Sequence, residues 1–428
     1  MSNIRLAIVG CGGMGHRHLY GLNELHRAGW RDFTLVAACD PLRANAESLA
    51  DQAASFFGAR PAVVATLEEL ASLGVDAVDI TTTPRSHHTI AVEALARNWH
   101  TMVEKPLGLT VRAANAIVRA AASSGRVLSV AENYRRDPVN RLAKALLQAG
   151  VIGAPRFVIH HVVDGGRVML ISVWRHQKDQ SGVLLDVGVH YADMLEYLLG
   201  EIDIVYAQTR LHEPMRSNPA ASGGAAANPA GVYGRWQKEM PATFAATAED
   251  AVYGTLLFAS GVVGQYIEDH AGCGEHLWAR QIHGSEGSLS LPVDRSGGTI
   301  ALRRGRQEEI RGAALLDLVP DFRLDPVTAA LFGGERLAGF ELPFAETDRK
   351  LIAVEYADFA SAIRGERPPE VGAAQGARSV AVSYALLESG ALGRPVSVAE
   401  VLAEQVSVYQ REIDVGLGLG EESVVRSA

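Results

Sequence analysis

Leu6-Ala7-Ile8-Val9-Gly10-Cys11-Gly12-Gly13-Met14-Gly15 is an apolar run that ends in G-x-G-x-x-G. In such a turn each glycine has its own task. Gly10 allows the tight turn, Gly12 lets a pyrophosphate approach the backbone, and Gly15 lets the next helix pack close on the strand. The pyrophosphate then rests on the positive N-terminal end of that helix. Cys11, Gly13 and Met14 lie in the same turn, with Cys11 read as a small turn-filling residue rather than a nucleophile. Alone the hexapeptide is weak, because glycine-rich turns that bind nothing are common.

The context strengthens it. A second apolar run, Thr34-Leu35-Val36-Ala37-Ala38-Cys39, ends at Asp40. An acid at this strand end accepts hydrogen bonds from ribose hydroxyls and repels a 2′-phosphate, so NAD is expected over NADP. The 30 residues from Gly10 to Asp40 exceed the usual spacing. A long first helix with a looped end, His16 through Trp30, accounts for the excess. Arg43 could tolerate a phosphate, and Asp40 could also be a turn-starting Asp before Pro41.

Composition bounds the rest. At 428 residues the chain suggests two or three domains. Its 48% hydrophobic and 21% charged content is that of a globular protein with a sizeable core. The net charge of −9 argues against nucleic acid or an anionic membrane as partner. No apolar run approaches the ~18 residues needed to span a bilayer. The chain enters its first strand without a leader-like segment, and its three cysteines are too scattered for a disulfide framework. A cytoplasmic location is expected.

Strand candidates Arg5–Val9, Thr34–Asp40, Ala77–Thr83, His100–Glu104 and Val127–Glu132 alternate with helical stretches. This implies a doubly wound parallel Rossmann sheet over residues 1–135. From 136 to 395 the strands Arg156–Val163, Ile204–Arg210, Ala251–Phe258, Val262–His270 and Arg280–His283 mostly lack intervening helices. They imply an α+β domain with a large open, mostly antiparallel sheet. Residues 213–248 and 294–345 look inserted, the first as a low-complexity loop. Residues 396–428 form a tail, partly helical and then polar, read as an oligomer arm or a frayed end.

Thr82-Thr83-Pro84-Arg85-Ser86-His87 and Glu104-Lys105-Pro106 fall at C-terminal strand ends, where open α/β sheets hold ligands. A lysine there can donate a hydrogen bond to an alcohol oxygen and stabilise a developing alkoxide.

With these motifs the chain resembles the glucose–fructose oxidoreductase, inositol dehydrogenase and rhizopine-catabolism (Gfo/Idh/MocA) family. The resemblance rests on Gly10–Gly15, Thr83-Pro84-x-x-His87, Glu104-Lys105-Pro106 and Asp186-x-Gly188-x-His190. It also rests on Asp358-Phe-x-x-Ala-Ile-Arg-Gly and Ser389-Gly-x-x-Gly-x-Pro-Val. It implies that Lys105 lies beside the nicotinamide, often after a cis peptide to the proline. It implies that Asp186 and His190 are the second catalytic pair, with His190 taking the hydroxyl proton and Asp186 orienting the sugar or the imidazole. His87 would lie near the cofactor, with His88 structural. Asp186 and His190 are four residues apart, so on one helix they share a face. Asp186 could also be an N-cap, and the pair a metal half-site, but without Cys or further His partners no metal is expected.

Two cationic–aromatic segments are particular to this chain: Trp174-Arg175-His176-Gln177-Lys178 and Arg235-Trp236-Gln237-Lys238. Tryptophan stacks on sugar rings, and Arg and Lys grip anions. With Tyr134 and Arg135 at the domain junction they suggest an anionic glycoside, or else a solvated basic loop. The expected enzyme oxidises a secondary hydroxyl of a pyranoside or cyclitol with NAD. One course releases a keto-sugar. In the other, oxidation at C3 acidifies the C2 proton, the aglycone is eliminated, and hydration and re-reduction give net hydrolysis, as on a sulfoquinovoside. A non-catalytic NAD-binding sensor is the rival class, since fold alone does not fix function, but it has no need of Lys105, Asp186 and His190 together. A homodimer or homotetramer is expected, because an open sheet commonly needs its exposed face covered.

Overall fold

The computed structural model describes residues 3–305 and 308–420. Six parallel strands form the first sheet: β1 (Ile4–Val9), β2 (Phe33–Cys39), β3 (Ala62–Val64), β4 (Ala77–Ile80), β5 (His100–Glu104) and β6 (Leu128–Ala131). Their order is β3-β2-β1-β4-β5-β6. The order reverses between β1 and β4, and that crevice is where an open α/β sheet binds its ligand. The near-continuous apolar strands follow from burial on both faces. Helices are punctuated as the sequence dictates. Thr110 caps Val111–Ser124 by accepting from the Ala113 N–H, and Gly125 ends it at φ +64.

The second sheet has nine strands. In chain order they are β7 (Pro155–Gly165), β8 (Ile202–Arg210), β11 (Ala251–Phe258), β12 (Val263–Gly272), β13 (Leu277–Gly284), β14 (Gly287–Leu291), β15 (Ala301–Arg304), β16 (Glu308–Arg311) and β17 (Val396–Ser397), with β9 (Met215–Ser217) and β10 (Thr243–Ala245) forming a separate ribbon. The spatial order is β16-β15-β14-β13-β7-β12-β11-β8-β17. Among the described residues of this sheet only the β7–β12 pair is parallel. One face, with Val158, His160, Tyr266 and Glu268, is buried towards helices Gly188–Leu199 and Ala373–Leu392. On the other, Ile204, Tyr206, Leu257, Val263 and Leu277 are 37–44% exposed.

Three segments differ from their sequence reading. Residues 213–248 are ordered: they hold the β9–β10 ribbon and the helix Gly234–Glu239, pinned by the Asn218 amide to the Gln237 carbonyl at 2.8 Å. Residues 294–345 contain β15 and β16 and two short helices, Ala314–Asp317 and Pro326–Phe332. Such short elements carry too few residues to show a period. The tail folds back on the first sheet's flank rather than projecting: Thr110 donates to Asp414 at 2.6 Å and the Val111 N–H to Gln410 at 2.8 Å. Its residues 421–428 lie outside the described ones.

Helix Phe344–Ile363 crosses back to pack on helix Gly13–Arg27, and Gly21 makes the approach possible, since a Cβ there would lie 2.4 Å from Ile352. This helix carries Glu355, which is 1% exposed and has neither carboxylate oxygen hydrogen-bonded among the described residues. Burial pushes its carboxyl up to about 8, against a partial offset from Arg136. An unfolded glutamate ionises at about 4.3, so between the two values the folded state holds the extra proton. Stability contributed by this group therefore falls as pH rises, by up to about 1.4 kcal/mol per unit. Urea midpoints measured from about pH 5 to about pH 8 are expected to decline less steeply in Glu355→Gln than in the parent.

Candidate active site

The crevice between β1 and β4 fits a dinucleotide. Gly10 has φ +97, and a Cβ there would meet Thr82 at 2.7 Å. At Gly15 a Cβ would lie 2.3 Å from the Gly10 carbonyl oxygen, so helix and turn touch as the motif requires. At Gly12 nothing lies within 4 Å of a Cβ, which leaves the open approach a pyrophosphate needs. Asp40 closes the far side. Its carboxylate accepts the Cys11 and Leu42 N–H groups, each at 2.8 Å, and keeps lone pairs for ribose hydroxyls.

Where β1, β4, β5 and β6 end, the second sheet's helices meet them around a cleft of about 320 Å³. Lys105 follows β5, and the Lys105–Pro106 bond is cis. Its Nζ donates to Asp186 Oδ1 at 2.9 Å and to the Asp186 carbonyl at 2.7 Å. Arg175 Nε donates to Asp186 Oδ2 at 2.7 Å. Burial alone would raise the Asp186 pKa, but Arg175 and Lys105 outweigh it and hold the carboxyl well below the usual range. Asp186 is thus an ionised clamp that fixes the lysine.

His190 Nδ1 lies 2.7 Å from Glu132 Oε2, and Tyr134 stacks on the imidazole at 4.0 Å and 3°. Nε2 has no protein partner among the described residues and the ring lines the cleft. Burial holds the imidazole well below its ordinary pKa and pushes Glu132 up to about 7. Glu104 receives His18 Nε2 at 3.0 Å, and His18 Nδ1 reaches Asp79 at 2.8 Å. Against the cost of burial, these two carboxylates hold His18 protonated.

Asp186 and His190 do not share a helix face. Asp186 ends the short helix Val183–Asp186, and His190 belongs to Gly188–Leu199, so Asp186 is neither an N-cap nor the partner of the imidazole. Their side chains serve Lys105 and Glu132 instead, and so do not converge as a metal half-site. Gly188 allows the break by lying against Glu268, 3.1 Å from where its Cβ would be.

Thr82, Pro84, Glu104, Lys105, Tyr134, Trp174, Arg175, Asp186, His190 and Met14 all line the cleft. Other sequence-predicted residues do not. Arg43 is exposed and pairs with Glu47 at 2.8 Å. Thr83 is exposed ahead of helix Pro84–Ala96. His87 is buried with Nδ1 against the Pro106 carbonyl at 2.8 Å, tying two loops together. Arg135 grips Asp193. His176 accepts the Leu170 N–H behind the wall at 2.9 Å. Lys178 pairs with Glu412 at 2.6 Å. Arg235, Trp236 and Lys238 lie outside the cleft lining. Sequence reasoning missed Glu132, Arg17, Arg295 and His270. Glu132 directly follows β6, as Lys105 follows β5, and was within reach of the strand-end rule, whereas nothing local marks Arg295.

Comparison with known proteins agrees with this geometry. The profile described as oxidoreductase family, NAD-binding Rossmann fold, matches residues 4–132. The profile for the oxidoreductase family's C-terminal alpha/beta domain matches residues 144–398. The chain belongs to the Gfo/Idh/MocA family. Levoglucosan dehydrogenase of Pseudarthrobacter phenanthrenivorans is 30% identical over 303 residues, 69% of this chain and 75% of that one. The scyllo-inositol 2-dehydrogenase (NAD(+)) of Bacillus subtilis is 29% identical over 209 residues, 49% of this chain and 58% of that one. A solved structure of levoglucosan dehydrogenase in complex with NADH shares the fold, with a TM-score of 0.71 and 23% identity over 93% of this chain and 99% of that one. Among the described residues no helix is long and apolar enough to cross a membrane.

In this family member the Glu132–His190 pair has a pH sign. Above about 7 Glu132 is ionised and accepts Nδ1–H, so Nε2 has a free lone pair and can act as base. Below that, the carboxyl donates to Nδ1 and Nε2 carries the proton. Oxidation kcat/KM is therefore expected to rise with pH through about 7. In Glu132→Gln the inflection should vanish and kcat/KM fall by about 100-fold or more.

Proposed function

We propose that this protein is an NAD-dependent dehydrogenase of a secondary hydroxyl on a pyranoside or cyclitol. The observation that carries the reading is Lys105, fixed by Asp186 at the end of β5, in one cleft with the unpartnered Nε2 of His190. Bound NAD would supply the hydride acceptor. Lys105 donates a hydrogen bond to the substrate oxygen and stabilises developing alkoxide, while His190 takes the hydroxyl proton. Asp186 positions Lys105. Trp174 offers a ring face to the sugar, stacked under Arg175 at 4.2 Å. The relatives' names, levoglucosan and scyllo-inositol dehydrogenase, support a cyclic polyol.

Each cation of the cleft wall already touches a protein acid, which supports a neutral hydroxyl substrate over an anionic one. Lys105 and Arg175 share Asp186, Arg17 and Arg295 share Asp348, and His270 holds Glu268. Lys178, Arg235 and Lys238, on which the sulfoquinovoside expectation leaned, lie elsewhere. The oxidation–elimination glycosidase remains the second reading on one observation. Past Tyr134 and Arg295 the cleft continues into a second hollow of about 400 Å³, walled by Trp278, His276, Val293 and Phe344, with room for an aglycone.

The proposed division puts the cofactor in residues 1–135, the substrate walls in 136–395 and a bracing tail in 396–428. The exposed apolar sheet face supports a homodimer or homotetramer. The free thiols of Cys11, Cys39 and Cys273 fit a reducing cytoplasm.

Incubation with NAD⁺ and a panel of pyranosides, glycosides and cyclitols in D₂O, followed by proton NMR, tests the reading. NADH with a keto-sugar is expected. Aglycone release without net NADH, with deuterium at C2, would replace it by the glycosidase. Turnover that persists in Lys105→Met would contradict the role of the lysine in either.

A further inference from the structure

The insert 213–248 places only Pro229 in the cleft lining, yet it is built with care. Its base is fixed to the second sheet: Arg216, 1% exposed, donates to Asp250 at 2.8 Å and to the His270 carbonyl at 3.0 Å. Gln237, equally buried, donates to the Ile171 carbonyl at 2.9 Å and to the Ala227 carbonyl at 2.7 Å. From this base the strap crosses to the first sheet and lands on the glycine-rich turn.

The landing is specific. Tyr233 occupies the space a side chain at Gly13 would take, for a Cβ there would lie 2.3 Å from the ring. Arg17 donates to the Tyr233 hydroxyl at 3.2 Å, and that hydroxyl lies 2.9 Å from Met14 Sδ. Arg235 stacks over Trp236 at 3.9 Å and donates to Ser48 at 3.1 Å and Asn45 Oδ1 at 3.3 Å. The Trp236 ring meets His16 edge-on at 6.0 Å. Asn45 in turn reaches Asp40 at 3.5 Å. The strap thus touches the pyrophosphate turn directly and reaches the ribose acid through Asn45. Among the described residues Arg235 pairs with no carboxylate. A guanidinium without an acid, held beside a diphosphate site, is complementary to that anion.

We infer that Tyr233, Arg235 and Trp236 close the dinucleotide groove and hold NAD as a resident cofactor. From an open groove, release requires only loss of the cofactor's own contacts. Here the strap must also lift from Gly13, Ser48 and Asn45, which adds a conformational step to dissociation. Gly13 is the other half of the device: its missing side chain is the socket for the Tyr233 ring.

The test is retention of nucleotide, read without turnover. Full-length protein is gel-filtered, and NAD in the acid extract is measured by absorbance. NADH release is then timed by fluorescence in a chase with excess NAD⁺. The parent is expected to keep NAD through the column. Tyr233→Ala and Arg235→Ala should release NADH at least about tenfold faster. Gly13→Ala should do the same with the strap sequence intact, and Tyr233→Phe, which keeps the ring, should retain slow release. Near-UV circular dichroism and the apo urea midpoint identify which variants remain folded. The inference is overturned if the parent leaves the column free of nucleotide. It is equally overturned if folded Tyr233→Ala and Arg235→Ala release NADH at the parent rate.

Discussion

One buried carboxylate organises the reactive end of this molecule. Asp186 receives Lys105 from the end of β5 and Arg175 from the segment before its own helix, so three separate pieces of chain are tied at one point. Neither cation could stand in that wall alone at low cost. Removing the acid would leave buried positive charge uncompensated, which typically costs about 3–5 kcal/mol. The clamp therefore does two things with one charge. It holds the two sheets in register across the cleft, and it delivers an ammonium whose direction is set before any substrate arrives.

Charge pairing of this kind recurs around the cleft, and it fixes the direction of the donors there. Arg17 and Arg295 converge on Asp348, and His270 is pushed up to about 9 between Asp164 and Glu268. These cations are committed to protein acids. They offer N–H donors in fixed directions, the geometry that hydroxyl recognition needs. Arg235, which pairs with no carboxylate among the described residues, lies on the cofactor side of the molecule.

The first sheet and its turn could be read from sequence because each requirement is local. Val9 must stop, Gly10 must take positive φ, Gly15 must let the helix close in, and an acid must end β2. Lys105 and the pair Asp186 and His190 could be read because their motifs are short. What could not be read depends on pairing between distant segments. The three-residue β3 and the strands β14–β16 are too short to show alternation. Glu132 was visible as the last residue of a strand but gains its role only from His190, 58 residues on. Arg295 reaches the cleft from a segment without period. The strap residues Arg235 and Trp236 were chemically conspicuous, yet no local feature says on which side of a two-domain cleft a long connection will land.

Asp186 acts through Lys105, and a single-turnover experiment separates that role from cofactor binding. Asp186→Asn, saturated with NAD⁺ and mixed in a stopped-flow instrument with a sugar or cyclitol that the parent oxidises, reports the rate of NADH formation apart from product release. That rate is expected to fall by about 100-fold or more, with NAD⁺ affinity unchanged, because the lysine loses its anchor while the glycine-rich turn does not. A single-turnover rate equal to that of the parent would contradict it.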